Sequence, residues 1–393
     1  MVMMASLFFS RAILSLSMMV FVLVSFIHKD ILQQFRKFLS TPLLWSICLL
    51  FLLPLISGLW SNNLEQWLNI LRLKLPLLML PVAFASPFHL SGKQWKILAL
   101  LFTGLVTAGT AWSLFYYSSD MVAIEQGYLR SKSIITPLKD DHVRFSWMVS
   151  LAALLAGWLG FRDLQKRSQW GWLYFLISAG LIIYLHVLAA RTGLLSFYII
   201  LFLLLISSIY ARWKPRYSLL FFFLLIALPV TAYFSLPTLR NRVTYFKYDQ
   251  EYFKDTHYLP GGNDAVRVIS LKAGWEVLNA NKITGVGFGD INDKILEWYH
   301  INYPGMKEDD KIYPSSEWLV YGTGCGWVGV VIFTMIMMIP FFEKTKERLL
   351  WWGLNLTAAF SFLFDIGLEV QFGVFLYAFC VLWWWKWLIS EKM

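Results

Sequence analysis

The sequence predicts an all-α polytopic membrane protein, and its composition and the length of its apolar runs carry that prediction. Of 393 residues, 58% are hydrophobic and 15% charged, against roughly 45–50% and about 25% in soluble domains. The apolar residues fall in repeated runs of about twenty, the length of helix that crosses a bilayer. The runs do not alternate polar with apolar, which argues against a β-barrel. The 20 Trp, 18 Tyr and 32 Phe residues suit membrane interfaces, and they can also stack on sugars.

About eleven transmembrane helices are expected, over roughly 7–27, 41–60, 74–87, 97–117, 144–161, 170–189, 193–211, 218–236, 318–342, 349–367 and 371–390. The first run lacks the basic leader and cleavage site of a signal peptide, so it reads as a permanent span. The third is short and contains Pro76 and Pro81, which predicts a kink or partial insertion. Between the eighth and ninth runs lies one large, partly helical loop of mixed charge, from Leu236 to Glu317. The predicted organisation is an N-terminal bundle (1–236), a loop domain (237–317) and C-terminal helices (318–393).

Orientation follows from Lys and Arg. One set of short loops carries Lys29, Arg36, Lys37, Lys93, Lys96, Arg162, Lys166, Arg167, Arg212, Lys214, Arg216, Lys344, Lys346, Arg348, Lys386 and Lys392. The opposite set, without the long loop, carries Arg11, Arg72, Lys74, Arg130, Lys132, Lys139, Arg144 and Arg191, half as many. The first set is therefore cytoplasmic, and the long loop faces the other side. This bias also accounts for most of the formal charge of +10, so nucleic acid is not an expected partner. Membrane lipids are. Cys48, Cys325 and Cys380 all fall in apolar runs, which points to neither a disulfide framework nor a cysteine metal site.

Four outer segments can converge on one pocket: the turn at Trp60–Asn63, the 118–143 loop, the turn at Ala190–Thr192 and the long loop. Inside the long loop, Asn263-Asp264 can cap a helix to about Asn279, with Val266, Ile269, Ala273 and Val277 as its apolar stripe. Arg267 and Glu276 lie off that stripe. A second helix, Asp290 to His300, offers Ile291, Ile295, Trp298 and Tyr299 for packing. Gly285, Gly287 and Gly289 follow a helix, so they are not a dinucleotide fingerprint. They make a tight turn, or turn N–H groups such as that of Gly287 toward an anion.

Arg191 stands between two apolar runs with almost no loop around it. It is either a fixed guanidinium for phosphate or a snorkelling side chain. Arg144 begins a span after Asp140-Asp141-His142, where it contacts phosphate or pairs with those aspartates. Asp365 and Glu369, four apart, share a helix face and suit counterions for an arginine. His186 can hydrogen-bond within the bundle, while His142, His257 and His300 fall on the outer face. No histidine forms a metal-ligand spacing with other His or acidic residues.

Four stretches, in order, resemble the O-antigen ligase and O-antigen polymerase family: SGLWSNN (57–63), AARTG (189–193), RVISLKAGWEVLNANKITGVGFG (267–289) and PSSEWLVYGTGCGWVG (314–329). The resemblance spans most of the chain. It implies a polytopic glycosyltransferase of the bacterial inner membrane, multi-pass with its large loop periplasmic. Such enzymes take glycan from a polyprenyl-diphosphate carrier and pass it to a lipid-anchored or glycan acceptor, with no cofactor and no metal. Arg191 and Arg267 match the family's diphosphate-holding arginines. Many members carry a histidine in the last stretch, where this chain has Ser315-Ser316. Glu317 is then the closest ionisable group, and partial burial would suit it to act as a general base; the alternative is that it pairs with an arginine and orders the loop. The expected site is thus Glu317, Arg191 and Arg267 for catalysis, with Arg144, Ser315, Ser316 and Gly287 binding substrate. The family contains both ligases and polymerases, and a lipid-linked glycan transporter is the rival from another class. The charges gather at outer helix ends and no internal repeat is evident, which favours an enzyme.

Overall fold

A computed structural model describes residues 1–254, 258 and 263–390, and of these it omits the side chains of 139, 140, 250–254, 263 and 390. His257 and Lys392 lie outside the described residues. The described chain is helical throughout, with no strand. Eight helices are long and apolar enough to span a bilayer: Leu64–Phe84, Gly92–Ser119, His142–Gln165, Trp170–Leu188, Arg191–Tyr210, Pro215–Ser235, Glu317–Phe342 and Gln371–Ile389. The protein is a multi-pass membrane protein.

Three of the eleven expected runs are shorter than a span. The first breaks at Ser10 into Val2–Phe9 and Arg11–Ser25, the second is Pro42–Ser57, and the tenth is Arg348–Phe364. A helix of about 16 residues reaches roughly 24 Å, short of a hydrocarbon core of about 30 Å. Ile31–Ser40 and Pro42–Ser57 would count as a ninth span if their 83° bend were crossed as one. The third run begins ten residues earlier than expected. Leu75 keeps a right-handed helical conformation between Leu64–Lys74 and Pro76–Phe84, and Pro76 sits at the first helical position, where it is tolerated. Arg72 and Lys74 therefore lie inside a span, not in an outer loop.

The chain divides into two compact units. The first comprises Met1–Ser15, Leu90–Tyr248 and Glu347–Thr357. Its most enclosed helix is His142–Gln165. Small residues let neighbours approach it closely: Gly193 stands against Ser146, Gly171 against Gly160, and Gly353 against Leu154. Ser178 Oγ donates to Ala153 O at 2.8 Å, and Trp147 Nε1 donates to Thr357 Oγ1 at 3.0 Å. The Lys96–Asp163 ion pair (2.8 Å) fastens one end. Pro215–Ser235 buries only Ala232, as a helix facing lipid tails would.

The second unit comprises Leu16–His89, Asp249–Lys346 and Ala358–Met393. Its helix Gln371–Ser390 is enclosed along nearly its whole length. Phe375, Phe379, Trp383 and Trp387 stack in a ladder with centroids 5.2, 6.0 and 6.3 Å apart. The loop helix runs Asn263–Ala280, and its expected stripe of Val266, Ile269, Ala273 and Val277 is buried. The second loop helix is Ile291–Asn302, and the expected Ile291, Ile295, Trp298 and Tyr299 are its buried residues.

The span that follows the loop is broken. Cys325 and Gly326 leave helical geometry, with Gly326 at φ +67°. A break inside a membrane must find partners for the backbone groups it frees, and the glycine turn supplies them. Val286 N–H donates to Thr323 O (2.8 Å), Gly287 N–H to Gly324 O (3.0 Å), and Trp327 N–H to Lys282 O (2.9 Å). Gly285 (φ +70°) and Gly287 (φ +87°) adopt backbone that L side chains rarely reach. A Cβ on Gly285 would stand 2.5 Å from backbone atoms of Gly324 and Cys325.

Gly285→Ala should therefore cost about 2 kcal/mol or more, from left-handed backbone and overpacking together. Gly180→Ala is the control, because nothing stands within 4 Å of that position. Thermal unfolding in detergent should show a clear drop in midpoint for Gly285→Ala and none for Gly180→Ala. Equal midpoints would mean that the turn does not seat in the break.

Candidate functional site

The expected site residues divide between the two units. In the first, Leu188 ends one helix, Ala189 turns left-handed (φ +49°), and Arg191 opens the next. A left-handed alanine costs roughly 1–2 kcal/mol, and here it reverses the chain without a loop. The Arg191 side chain is exposed, and its guanidinium lies 4.9 Å from the Phe246 ring centroid. Arg242, one turn earlier on Pro237–Lys254, lies over the ring of Tyr128 at 5.5 Å. Tyr128 donates from its hydroxyl to Leu188 O (2.8 Å) and accepts from Ile134 N–H (3.2 Å).

Arg144 stands in the first turn of His142–Gln165. Asp141 caps that helix by accepting from Arg144 N–H at 3.1 Å, and it also pairs with the guanidinium at 3.4 Å. Of the two readings of Arg144, pairing with an aspartate is therefore realised. Ser146, two residues on, meets Gly193, two residues after Arg191. Arg144 and Arg191 thus head neighbouring helices at one end of this unit, with Arg242 beside the same turn. Asp141 answers the first of these N-termini, and Arg191 adds a cation at the second, where backbone dipoles already favour an anion. His186, the expected internal hydrogen-bonder, joins Tyr198 Oη (2.7 Å) and Ile182 O (2.8 Å).

In the second unit the loop helix packs on the stretch where the chain returns to the membrane. Gly274 permits this by standing against Pro314 and Leu319. Ser270 Oγ donates to Ser315 Oγ (2.9 Å), and Ser315 N–H donates to Ser270 Oγ (3.2 Å). Arg267, one turn before Ser270, is exposed and donates to Phe364 O (3.3 Å), capping the end of Arg348–Phe364. Ser315 and Ser316 are both buried. Ser316 precedes the first residue of the span but makes no side-chain cap bond.

Glu317 is completely buried. Its Oε1 accepts from Leu368 N–H at 2.5 Å, and its Oε2 is buried without a hydrogen-bond partner. Lys74, also completely buried, pairs with Glu369 (2.5 Å) and donates to Leu368 O (2.9 Å). Its ammonium lies 5.1 Å from the Tyr321 ring and 5.7 Å from that of Phe288. Burial pushes the Glu369 carboxyl up, and the Lys74 ammonium opposes it. Desolvation, then the charges of Glu369 and Glu317, raise the Tyr313 phenol well above its ordinary value.

Three expectations change here. Glu369 is paired with a lysine rather than an arginine. It does not share a helix with Asp365, because Arg348–Phe364 has ended and Glu369 sits in a short 3₁₀ turn. A general base must reach the proton it takes, and Glu317 is instead enclosed and committed to a backbone amide. The N–H of Gly287 is committed as well, to Gly324 O. Phe288 and Gly289 donate to Ser57 Oγ (3.0 Å) and Ser61 Oγ (3.2 Å). The glycine run is a seated turn, and these donors do not face an anion. Asp290 completes the seat, accepting from the N–H groups of Asn62 and Asn63, each at 2.8 Å.

Three of the four resembling stretches are thus bonded to one another inside the second unit, while the fourth, with Arg191, belongs to the first. Sequence reasoning missed Arg242, which reads as an ordinary charge until Pro237–Lys254 is folded against the Arg191 turn. It also missed the role of Lys74, which directly precedes the apolar run from Leu75 to Phe84.

No curated protein matches the chain. Residues 173–334 match a family model described as O-antigen ligase. That segment holds Arg191, Arg267, Gly287, Ser315, Ser316 and Glu317, and over it the chain is similar to the O-antigen ligase family.

Proposed function

We propose that this protein is a glycosyltransferase of the bacterial inner membrane, moving an oligo- or polysaccharide from an undecaprenyl-diphosphate-type carrier to a hydroxyl acceptor. The acceptor is a lipid-anchored core sugar or the end of another glycan, and transfer takes place on the periplasmic face. The observation that carries this reading is the gathering of Arg144, Arg191 and Arg242 at one end of the first unit, within the family segment or beside it. In transfer, the acceptor oxygen bonds to the anomeric carbon, the bond from that carbon to the diphosphate oxygen breaks, and the hydroxyl proton is released. Negative charge grows on the departing diphosphate. Guanidinium groups fixed where that charge develops lower the barrier. Arg191 is the foremost of them. The Phe246 ring holds its plane in place, which a flexible lysine could not reproduce.

Arg267 is exposed and anchored at one nitrogen only, which leaves the rest of its fork available to phosphate. Ser315 fixes the loop helix on the returning chain through Ser270. Glu317 is assigned the ordering role, since its burial suits a lock better than a base. No divalent ion is required in this scheme, because the arginines supply the charge.

Transfer by the purified full-length protein in nanodiscs should fall about 10²–10³-fold in Arg191→Ala, the usual cost of one preorganised donor. Arg191→Lys should also be impaired, and chelation should leave the wild type unaffected. Wild-type turnover by Arg191→Ala would remove the phosphate role and leave a snorkelling arginine.

The periplasmic placement is tested separately. A cysteine at the exposed loop position Glu297 should react with an impermeant thiol reagent in spheroplasts. One at Lys346 should react only after lysis. The reverse pattern would place the chemistry on the cytoplasmic side.

A further inference from the structure

The helix Ile31–Ser40 presents three faces. Gln34 points inward, donating from Nε2 to Val82 O (2.8 Å) and meeting His28 Nε2 (2.7 Å). Ile31, Leu32, Phe35 and Leu39 form an apolar stripe at helical spacing, and all four are exposed, Leu32 by 77%. Gln33, Arg36, Lys37 and Ser40 form a polar stripe beside it. The helix meets Pro42–Ser57 at 83°, and that second helix packs with the spans Leu64–Phe84 and Glu317–Phe342. A short helix split lengthwise into apolar and basic faces, and turned across the direction of its neighbours, suits a membrane surface rather than a crossing.

The polar stripe ends at an unusual pair. Lys386 is buried, donates to Ser86 O (2.6 Å) and Phe84 O (3.1 Å), and lies 4.5 Å from the Phe88 ring. Lys37 stands over the Trp385 ring at 5.7 Å. Trp385 and Lys386 are consecutive, so Lys37 and Lys386 flank one stretch of the helix Gln371–Ser390, and among the described residues neither has a carboxylate partner. The Trp385 indole N–H is buried without an acceptor. Two cations without a carboxylate partner, with an unanswered donor on the residue between them, suit an anion. The apolar stripe on the same helix decides which anion, because a free phosphate has no use for it and a lipid does.

We propose that Ile31–Ser40 lies in the plane of the membrane surface and that Lys37, Lys386 and Trp385 hold the headgroup phosphate of an anionic phospholipid. Leu32, Phe35 and Leu39 then rest among the upper acyl carbons, with Arg36 and Lys37 at headgroup level. This assignment is independent of the glycosyl-transfer reading.

Native mass spectrometry of the full chain, released from nanodiscs holding phosphatidylglycerol and phosphatidylcholine, tests it. Wild type should retain phosphatidylglycerol preferentially. Lys37→Gln should weaken that retention about five-fold, the share of one basic residue at a lipid surface. Lys37 is chosen because it is only half-buried, so the variant should fold. Equal retention of the two lipids, or unchanged retention by Lys37→Gln, overturns the headgroup site. Displacement of the lipid by inorganic phosphate alone would make it a soluble-anion site instead. An environment-sensitive fluorophore at Leu32→Cys should be quenched by a nitroxide high on the acyl chain, and one at Gln33→Cys by a headgroup nitroxide. Quenching of both from water only, or of both from the bilayer centre, overturns the in-plane placement.

Discussion

The second unit depends on an ion pair with little access to water. Lys74 is completely buried and the Glu369 side chain nearly so, and taking two charges out of water costs several kcal/mol per ion before anything is regained. The pair is tenable because Lys74 is answered on every side we can name: the Glu369 carboxylate, the Leu368 carbonyl, and the faces of Tyr321 and Phe288. Those groups come from a span, a 3₁₀ turn, the broken helix and the glycine turn. Pairing therefore draws four separate stretches of chain to one point. Glu317 joins through Leu368, whose N–H it accepts. The short turn Gly367–Glu369 is thus gripped at its carbonyl, its amide and its side chain.

From that point the bonding runs outward in two directions. Toward the loop, Ser315 meets Ser270 and brings Arg267 with it. Toward the early turn, the glycine run fills the break at Cys325–Gly326, and Asp290 grips Asn62 and Asn63. The break and the glycine run explain each other. Helical carbonyls freed within a membrane need donors, and only a turn with positive φ can bring its amides so close to another backbone. Most of the polar residues in these stretches serve assembly. Arg267 stays exposed at the edge of this network.

The class of the fold was legible because hydrophobic run length is set by bilayer thickness, and eight of the eleven runs proved long enough. The loop helices were legible from their stripes, down to Val266, Ile269, Ala273 and Val277. The first, second and tenth runs misled because apolar content reports burial as well as lipid. The short Pro42–Ser57 and Arg348–Phe364 helices carry both kinds of side chain. Arg191 stood out from its apolar surroundings, whereas Arg267 was legible only through the family stretches. Lys74 was counted with an outer loop because the window of apolar residues opened at it, and nothing local announces a partner almost 300 residues away. Glu317 was read as partly buried. Its complete enclosure depends on the Gly367–Glu369 turn, which no local pattern predicts.

The claim that the Lys74–Glu369 pair organises the second unit is best tested by a double-mutant cycle on thermal stability in detergent. Lys74→Met strands a buried carboxylate and should cost about 3–5 kcal/mol, while Lys74→Met with Glu369→Leu should recover much of that loss. The double variant should then sit well above the sum of the two single losses. Strictly additive losses, or a Lys74→Met protein as stable as the wild type, would show that the pair is a bystander and that the unit is held together elsewhere.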